Sequence, residues 1–357
     1  MKIFVFIPLV AAISIAPNAF AQSNLTIYGI ADACLAKSNG ISGAKYQINS
    51  GCSLGSRLGF KGNEDLGGGL TAGFILENGF NIDSGLIGQG GRFFGRKSIV
   101  TLKGAAGEVQ LGRDYTPSFY LISPIDPFSL GMGTVSSMVS TAARGTDSGR
   151  NDNSFNYISP EFNGVTTKAQ YSLGESSTAS TRGSDAKGIM VSYKSGTLLL
   201  GAAYNNQANA TDSASDKVST VGGSYDLGYI KPAFLYQTGK WEGSRTVSLP
   251  SVPSSAFSRN YQSYMVGFTM PFGFTGGNVV ASYKRYNDKT VSNFDAIQTT
   301  LGYKLSVSNR TKLYAAYSVL QNKNKAALAI VDATTTYSSA LANSKPSTFW
   351  SGIEHSF

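Results

Sequence analysis

The sequence predicts an all-β protein, a 16-stranded antiparallel transmembrane β-barrel. Polar and apolar residues alternate in segments of about ten residues, the length of a tilted strand that crosses a membrane. Short and long connections alternate between these segments, as they do in outer-membrane barrels with tight periplasmic turns and longer external loops. A soluble β-sandwich also alternates strands and turns, but it does not require this alternation in length.

The first 21 residues resemble an export signal, with Lys2 before an apolar stretch and the small-x-small sequence Ala19-Phe20-Ala21 at its end. We therefore expect a signal peptide over residues 1–21 and a barrel domain over residues 22–357. A retained membrane anchor is the alternative, but the apolar stretch is short for a spanning helix. No later run of about 18 apolar residues predicts a transmembrane helix.

Alternation marks sixteen candidate strands, an even number as in bacterial single-chain barrels. They cover residues 25–32, 56–62, 70–80, 94–103, 108–115, 154–162, 165–174, 187–195, 198–206, 217–227, 229–238, 260–271, 277–287, 294–305, 311–322 and 347–357. The long polar connections are residues 37–51, 81–92, 116–153, 175–186, 207–216, 240–259 and 324–346. Because short links separate these long connections, and short turns are typical of the periplasmic side, we expect the long connections to be external.

Composition agrees with a barrel that carries aromatic girdles. The mean hydropathy is −0.07, and the chain has 41 glycines, 19 tyrosines and 20 phenylalanines. Phe349, Ile353 and Phe357 lie on one face of the last strand, so Phe357 is predicted to be a C-terminal barrel signal in the girdle. An edge strand of a soluble sheet is the alternative.

The net charge is +9, from 30 basic and 21 acidic residues. Basic residues are scattered singly along strands, and the export signal places the protein away from nucleic acid, so no nucleic-acid partner is expected. If these residues line an aqueous channel, the excess of basic over acidic side chains would favour the passage of anions.

Enzymatic chemistry is not indicated. The single histidine, His355, rules out a multi-histidine metal site within one chain, and no nucleotide-binding glycine motif leads from a strand into a helix. We expect no metal and no cofactor. Cys34 and Cys52 flank the first hairpin loop and form either a disulfide or two inert thiols.

Strand alternation selects the side chains that face the interior. If Leu58 and Phe60 face lipid, Arg57 and Lys61 face the lumen, which is the favoured arrangement because Arg or Lys facing lipid at mid-membrane costs about 2–4 kcal/mol. By the same alternation, Tyr28 and Asp32 face inward and line the pore.

Five segments, in order along the chain, resemble the general porins of β-proteobacteria. They are residues 25–33 (LTIYGIADA), 56–69 (SRLGFKGNEDLGGG), 111–117 (LGRDYTP), 153–164 (NSFNYISPEFNG) and 352–357 (GIEHSF). The resemblance implies a homotrimer of 16-stranded barrels in the outer membrane, in contact with lipopolysaccharide and outer-membrane lipid. Each barrel would have an anion-preferring channel for small hydrophilic solutes and ions, narrowed by the third external loop, residues 116–153, folded into the lumen.

The resemblance also implies a basic wall at the constriction. It adds Arg96 to Arg57 and Lys61, although strand alternation is ambiguous at Arg96. Asn156, which is predicted to line the pore, stands where a third wall arginine is usual, and Arg150 is the candidate substitute. Asp126, between two prolines of the third loop, is predicted to be the acidic group that opposes this wall, or else to have a structural role.

The predicted function is therefore a general diffusion porin with anion preference. The alternative is a substrate-specific outer-membrane channel for an organic acid or sugar, which a row of consecutive aromatics along the lumen would support. An adhesin or autotransporter barrel is disfavoured because almost the whole chain is accounted for by barrel strands and loops.

Overall fold

The computed structural model describes residues 24–40, 43–133, 149–175, 183–209, 211–242, 260–273, 276–337 and 341–357. The predicted signal peptide, residues 1–21, lies outside the described residues. Residues 134–148 of the third long connection also lie outside them.

The described chain consists mainly of long β-strands. They are β1 (Asn24–Gly40), β2 (Gly43–Ser50), β3 (Arg57–Gly67), β4 (Leu70–Gly79), β5 (Lys97–Gly104), β6 (Gly107–Tyr115), β7 (Arg150–Ile158), β8 (Val165–Ser172), β9 (Ala186–Ser195), β10 (Leu198–Ala208), β11 (Ser215–Tyr225), β12 (Lys231–Trp241), β13 (Asn260–Phe272), β14 (Gly277–Asp288), β15 (Ala296–Ser306), β16 (Thr311–Asn322), β17 (Ile330–Val331), β18 (Thr336–Tyr337) and β19 (Ser347–Ser356). A 3-10 turn (Gln89–Gly91) and one α-helix, α1 (Pro117–Ile125), interrupt the strands.

Seventeen of these segments form one antiparallel sheet in which sequence neighbours pair. The sheet closes where β1 pairs with β19, with Ile30 opposite Ser356. Because β2 and β3 both pair with β1, they are two parts of one interrupted strand, and the barrel has 16 strands. The predicted fold class is confirmed, and closure leaves no unpaired sheet edge.

Side chains alternate around the wall as predicted. Outward positions are apolar and exposed, such as Leu25 (64% exposed) and Ile27 (58%). Phe349, Ile353 and Phe357 share the outward face of the last strand, with 42%, 46% and 46% exposed. Inward positions carry most of the buried polar side chains, so the polar residues hydrogen-bond one another inside the barrel.

The first long connection differs from the prediction. Residues 37–51 were expected to form a loop, but β1 continues to Gly40 and pairs with β2 in a hairpin whose last pair is Gly40 and Gly43. The tip of the hairpin is polar, with the run Lys37-Ser38-Asn39-Gly40, and Lys37 lies 5.1 Å from the centre of the Tyr46 ring. The alternation of apolar and polar residues therefore ends before the pairing of β1 with β2 does.

The last long connection carries the short hairpin β17–β18 and contacts the end of β2. Asn49 Nδ2 donates to the Tyr337 hydroxyl at 2.8 Å, and the Thr334 hydroxyl donates to the Ser50 carbonyl. The Tyr337 and Trp350 rings meet edge to face at 5.5 Å. These contacts hold the described part of the connection against the barrel.

Helix α1 begins where β6 ends. The Thr116 side chain accepts a hydrogen bond from the Phe119 N–H at 3.2 Å, and Pro117 occupies the first helical position, where a missing N–H costs nothing. The helix ends as the Asp126 N–H donates to the Ile122 carbonyl at 2.9 Å. Within the described ranges no helix is both long and apolar enough to cross a membrane.

Candidate functional site

Helix α1 packs against the inner face of the wall. Its buried side chains Leu121, Ile122 and Ile125 form one apolar cluster with wall residues that include Met190 and Leu235. These wall positions alternate with exposed, outward-facing residues along β9 and β12. The described start of the third loop, residues 116–133, therefore packs through α1 against the buried side chains of these strands.

Glycines on the wall make room for this helix. A Cβ atom built on Gly188 would contact the Pro117 ring, and one built on Gly201 would contact Leu121. Larger residues at these two wall positions would collide with α1.

Three guanidinium groups lie around the Tyr115 ring, which stacks on Phe119 of α1 with the ring centres 3.7 Å apart. Arg96 Nη2 donates to the Tyr115 hydroxyl at 2.8 Å, and Arg150 donates to the same oxygen while its guanidinium carbon lies 4.1 Å from the ring centre. Arg57 is close enough to interact electrostatically with Arg96 and Glu77. The structure thus brings the predicted residues Arg57, Arg96 and Arg150 together.

Each guanidinium is held by its Nε atom. Arg57 Nε donates to the Gly55 carbonyl at 2.9 Å, and Arg150 Nε donates to the Arg96 carbonyl at 2.9 Å. Arg96 Nε forms an ion pair with Glu77 at 2.7 Å. Arg96 precedes the first residue of β5, so strand alternation does not apply to it, and both Arg96 and Lys97 face inward.

Glu77 is the acidic member of this basic cluster. Its carboxylate accepts from Arg96 Nε and, at 3.0 Å, from the Tyr28 hydroxyl. Tyr28 therefore faces inward as predicted. Lys61 also faces inward, is exposed, and lies 5.7 Å from the centre of the Tyr28 ring. The cluster has three guanidinium groups and one carboxylate, which leaves it positively charged.

A group of ion-paired side chains around Asp114 links α1 to the wall next to this cluster. Asp114, fully buried, pairs with Lys97 at 2.9 Å and Lys168 at 2.8 Å. The Tyr120 hydroxyl donates to the same carboxylate at 2.8 Å. Burial, reinforced by the Asp114 charge, raises the pKa of the Tyr120 phenol well above its usual range, so Tyr120 stays a hydrogen-bond donor.

Asp32 faces inward but does not line an open pore, which corrects its predicted role. Its carboxylate accepts from the backbone N–H groups of Cys52 (3.0 Å) and Leu54 (2.9 Å), and from the Tyr314 hydroxyl (2.6 Å). Residues 51–56, between β2 and β3, cover it completely. Strand alternation gave the direction of the side chain, but it carried no information about the segment folded over it.

Asn156 was predicted to line the pore, but its side chain is fully buried. Its Nδ2 donates to Ser154 Oγ at 3.0 Å, and its Oδ1 accepts from Gln170 Nε2 at 2.8 Å. Neighbouring polar side chains on β7 and β8 satisfy the amide and cover it.

Asp126 occupies a structural position. It is 2% exposed, and its carboxylate accepts from the backbone N–H groups of Phe128 at 3.2 Å and Leu130 at 3.0 Å. These bonds hold the turn after α1. The structural alternative for Asp126 is therefore favoured over the acidic face that was expected to oppose the arginines.

Cys34 and Cys52 are joined by a disulfide, with their Cα atoms 6.1 Å apart. The bond ties β1 to the covering segment 51–56 that holds Asp32. Of the two alternatives left open by the sequence, the structure therefore contains the disulfide.

Sequence reasoning missed Glu77, Asp114 and Tyr115 as members of the site. Asp114 and Tyr115 stand inside the segment 111–117 that carried the resemblance, so that segment held a signal for them. Glu77 lies opposite Lys97 in the pairing of β4 with β5, a neighbour relation that only the register supplies.

Comparison with known proteins agrees with this architecture. Residues 9–325 match the family model described as Gram-negative porin. Outer membrane porin protein 32 of Delftia acidovorans is 33% identical over 330 residues, covering 90% of each chain. An outer membrane porin protein of Bordetella pertussis is 30% identical over 353 residues, covering 85% of this chain and 90% of its own.

A solved structure of an anion-selective porin from Comamonas acidovorans superimposes with a TM-score of 0.81 at 31% identity, covering 94% of this chain and 100% of the porin. The family match, the two relatives and the closed 16-stranded barrel lead to one conclusion. The chain belongs to the Gram-negative porin family: it is a channel protein of the bacterial outer membrane and not an enzyme.

Proposed function

We propose that this porin is a general diffusion channel for small hydrophilic solutes that prefers anions, and that the third external loop narrows it. The observation that carries the proposal is Arg57. Its Nε is held by the Gly55 carbonyl, and its two terminal nitrogens have no hydrogen-bond partner among the described residues. This half-buried guanidinium, beside Arg96 and Arg150, is preorganised to meet an anion.

The test is the reversal potential of single channels in planar bilayers under a KCl gradient. We expect chloride to be favoured over potassium, and Arg57→Gln to reduce that preference. Arg310→Gln, in the turn before β16, removes the same charge far from the cluster and should leave the potential unchanged. Cation preference in the unaltered protein would overturn the anion proposal, and an absence of channels would overturn the pore.

A substrate-specific channel has weaker support. Trp241, Tyr261 and Tyr286 do line up on the inner face of neighbouring strands, with the Tyr261 and Tyr286 rings stacked at 5.1 Å. However, Trp241 and Tyr261 are only 8% and 3% exposed, so they do not offer a row of open ring faces to a passing sugar. Conductance that a particular organic acid or sugar blocks saturably would favour the specific channel.

We infer that the protein assembles as a homotrimer and contacts lipopolysaccharide and other outer-membrane lipids. OmpT of Vibrio cholerae, a neighbour in fold at 16% identity and a TM-score of 0.69, is described in a trimer form. In this chain the outward face of the β1–β2 hairpin carries the exposed side chains Leu35, Tyr46 and Ile48, which suit contact with another copy. The mass of the protein in detergent, from light scattering, tests the trimer.

A further inference from the structure

Three lysines lie on the outward face of the barrel near the strand ends that adjoin long connections. Lys187 on β9 shares its face with the exposed residues Ile189 and Val191, whereas Met190 between them packs against the inner helix α1. Lys217 on β11 and Lys240 on β12 are outward by the same alternation and have side chains 43% and 60% exposed. All three therefore face the membrane side of the wall.

Strand pairing places these lysines in one row. Lys187 is opposite Asn206, Asn206 is opposite Lys217, Lys217 is opposite Lys240, and Lys240 is opposite Asn260. Neighbouring strands are about 4.8 Å apart, so the Lys217 and Lys240 backbones are adjacent and Lys187 stands roughly 10 Å from Lys217. The row therefore contains three ammonium groups and two amides, with Lys217 and Lys240 as direct neighbours.

The row stands at the level of the lipid headgroups. Tyr171 lies opposite Lys187, whose Nζ is 5.8 Å from the centre of the ring, and Tyr204 faces outward one step further from the loops. Outward aromatic rings mark the edge of the apolar band of a barrel, and lysines beyond them avoid the cost of facing hydrocarbon.

The row keeps a positive excess. Glu242, directly after β12, pairs with Lys240 at 2.5 Å and with Lys217 at 3.8 Å. Asp185, directly before β9, accepts from the Tyr171 hydroxyl and from the Gly174 N–H and lies buried, so it does not pair with Lys187. One carboxylate therefore faces three ammonium groups in the described part of this surface.

We propose that the row of Lys187, Lys217 and Lys240 binds the phosphate groups of the glycolipid that forms the outer leaflet. Ammonium groups form charge-assisted hydrogen bonds with phosphate, and basic clusters at headgroup level hold anionic lipids. Asn206 and Asn260 supply amides that suit the sugar hydroxyls of a glycolipid better than a simple phospholipid. The inference rests on the proposed function, because the long connections must face the outside.

The test uses full-length protein in vesicles of phosphatidylcholine that contain lipid A, followed by native mass spectrometry of the lipid retained on the extracted barrel. The triple variant K187Q/K217Q/K240Q should retain at least about ten-fold less lipid A, the loss of roughly 1.4 kcal/mol of binding. The control triple variant K103Q/K194Q/K231Q removes the same number of charges at the opposite strand ends and should retain as much as the unaltered protein. Lipid A lacking one phosphate should bind more weakly.

Removing the competing carboxylate gives a variant with the opposite expected change: Glu242→Gln should retain more lipid A. Equal retention by K187Q/K217Q/K240Q and the unaltered protein would overturn the inference, and so would equal retention of phosphatidylglycerol in place of lipid A. Channel conductance is recorded for each variant. Unchanged lipid retention with intact channels overturns only the lipid site, whereas absent channels overturn the proposed function.

Discussion

At the scale of single residues, Glu77 moderates the charge of the cluster of Arg57, Arg96 and Arg150. Its carboxylate binds Arg96 and Tyr28 and opposes the positive field of Arg57 and Arg150. Arg57 is then the guanidinium whose terminal nitrogens keep no partner within the described residues. A single buried acid therefore weakens the positive electrostatic field of this cluster.

We predict that Glu77→Gln strengthens anion preference. Glutamine keeps an oxygen that can accept from Arg96 Nε but removes the negative charge, so the chloride-to-potassium permeability ratio should rise by a factor of roughly two to ten. Reversal potentials in planar bilayers measure it. Glu64→Gln, an exposed position near the turn after β3, is the control and should change the ratio little. A ratio that falls on losing Glu77 would contradict the assigned role.

At the scale of elements, helix α1 is held by an apolar contact on one side and by the Asp114 ionic group on the other. We predict that Asp114→Asn destabilises the barrel by about 3–5 kcal/mol, because the buried ammonium group of Lys168 and the partly buried one of Lys97 lose their counter-charge. Asp152→Asn breaks ion pairs of a residue with a 42% exposed side chain and should cost less than about 1 kcal/mol. Urea unfolding followed by tryptophan fluorescence compares them, and equal losses would contradict the prediction.

The last long connection should respond to pH. Burial raises the pKa of Asp332 to about 7, with Asp32 adding repulsion, although Tyr337 and the backbone N–H groups of Thr334 and Thr335 donate to its carboxylate. A pKa above that of the unfolded chain means that folding favours the protonated acid. This stabilisation is complete below about pH 4 and is lost as the pH rises through 7.

We therefore predict that residues 323–337 exchange amide hydrogens faster at pH 8 than at pH 5, after correction for intrinsic exchange. Asp332→Asn keeps an oxygen acceptor without the charge and should remove this difference. If the variant shows the same difference as the unaltered protein, another group controls the connection. Mass spectrometry of peptides from exchanged protein gives the measurement.

At the scale of the whole molecule, the barrel depends on closure between β1 and β19. Phe357 and Gly29 exchange two backbone hydrogen bonds of 3.1 Å, and a Cβ atom on Gly29 would collide with the Phe357 ring. Because Gly29 has no side chain, it leaves room for the Phe357 ring where β1 pairs with β19.

We predict that Phe357→Ala slows barrel closure more than Phe349→Ala does, although both rings are similarly exposed. Loss of the contacts that the Phe357 ring makes where β1 pairs with β19 should raise the activation free energy of folding by about 1 kcal/mol. This corresponds to a refolding rate that is roughly five-fold slower. Refolding into vesicles, followed by the gel shift between folded and unfolded barrel, gives the rate. Equal rates for the two variants would remove the special role of Phe357.

The sequence by itself determined the barrel, its 16 strands and the inward direction of Tyr28, Arg57 and Lys61. These follow from a period of two residues and from connection length, which are local properties of the chain. The β1–β2 hairpin escaped prediction because the polar run Lys37-Ser38-Asn39-Gly40 at its tip interrupts the alternation of apolar residues.

Only the tertiary structure decided which inward residues meet. Arg96, Arg150 and Tyr115 lie far apart in sequence and come together through strand register. Asp32 and Asp126 have the polarity expected of pore residues, yet backbone N–H groups engage both carboxylates and cover them. Strand alternation specifies the face to which a side chain points, whereas burial depends on distant segments that fold over it.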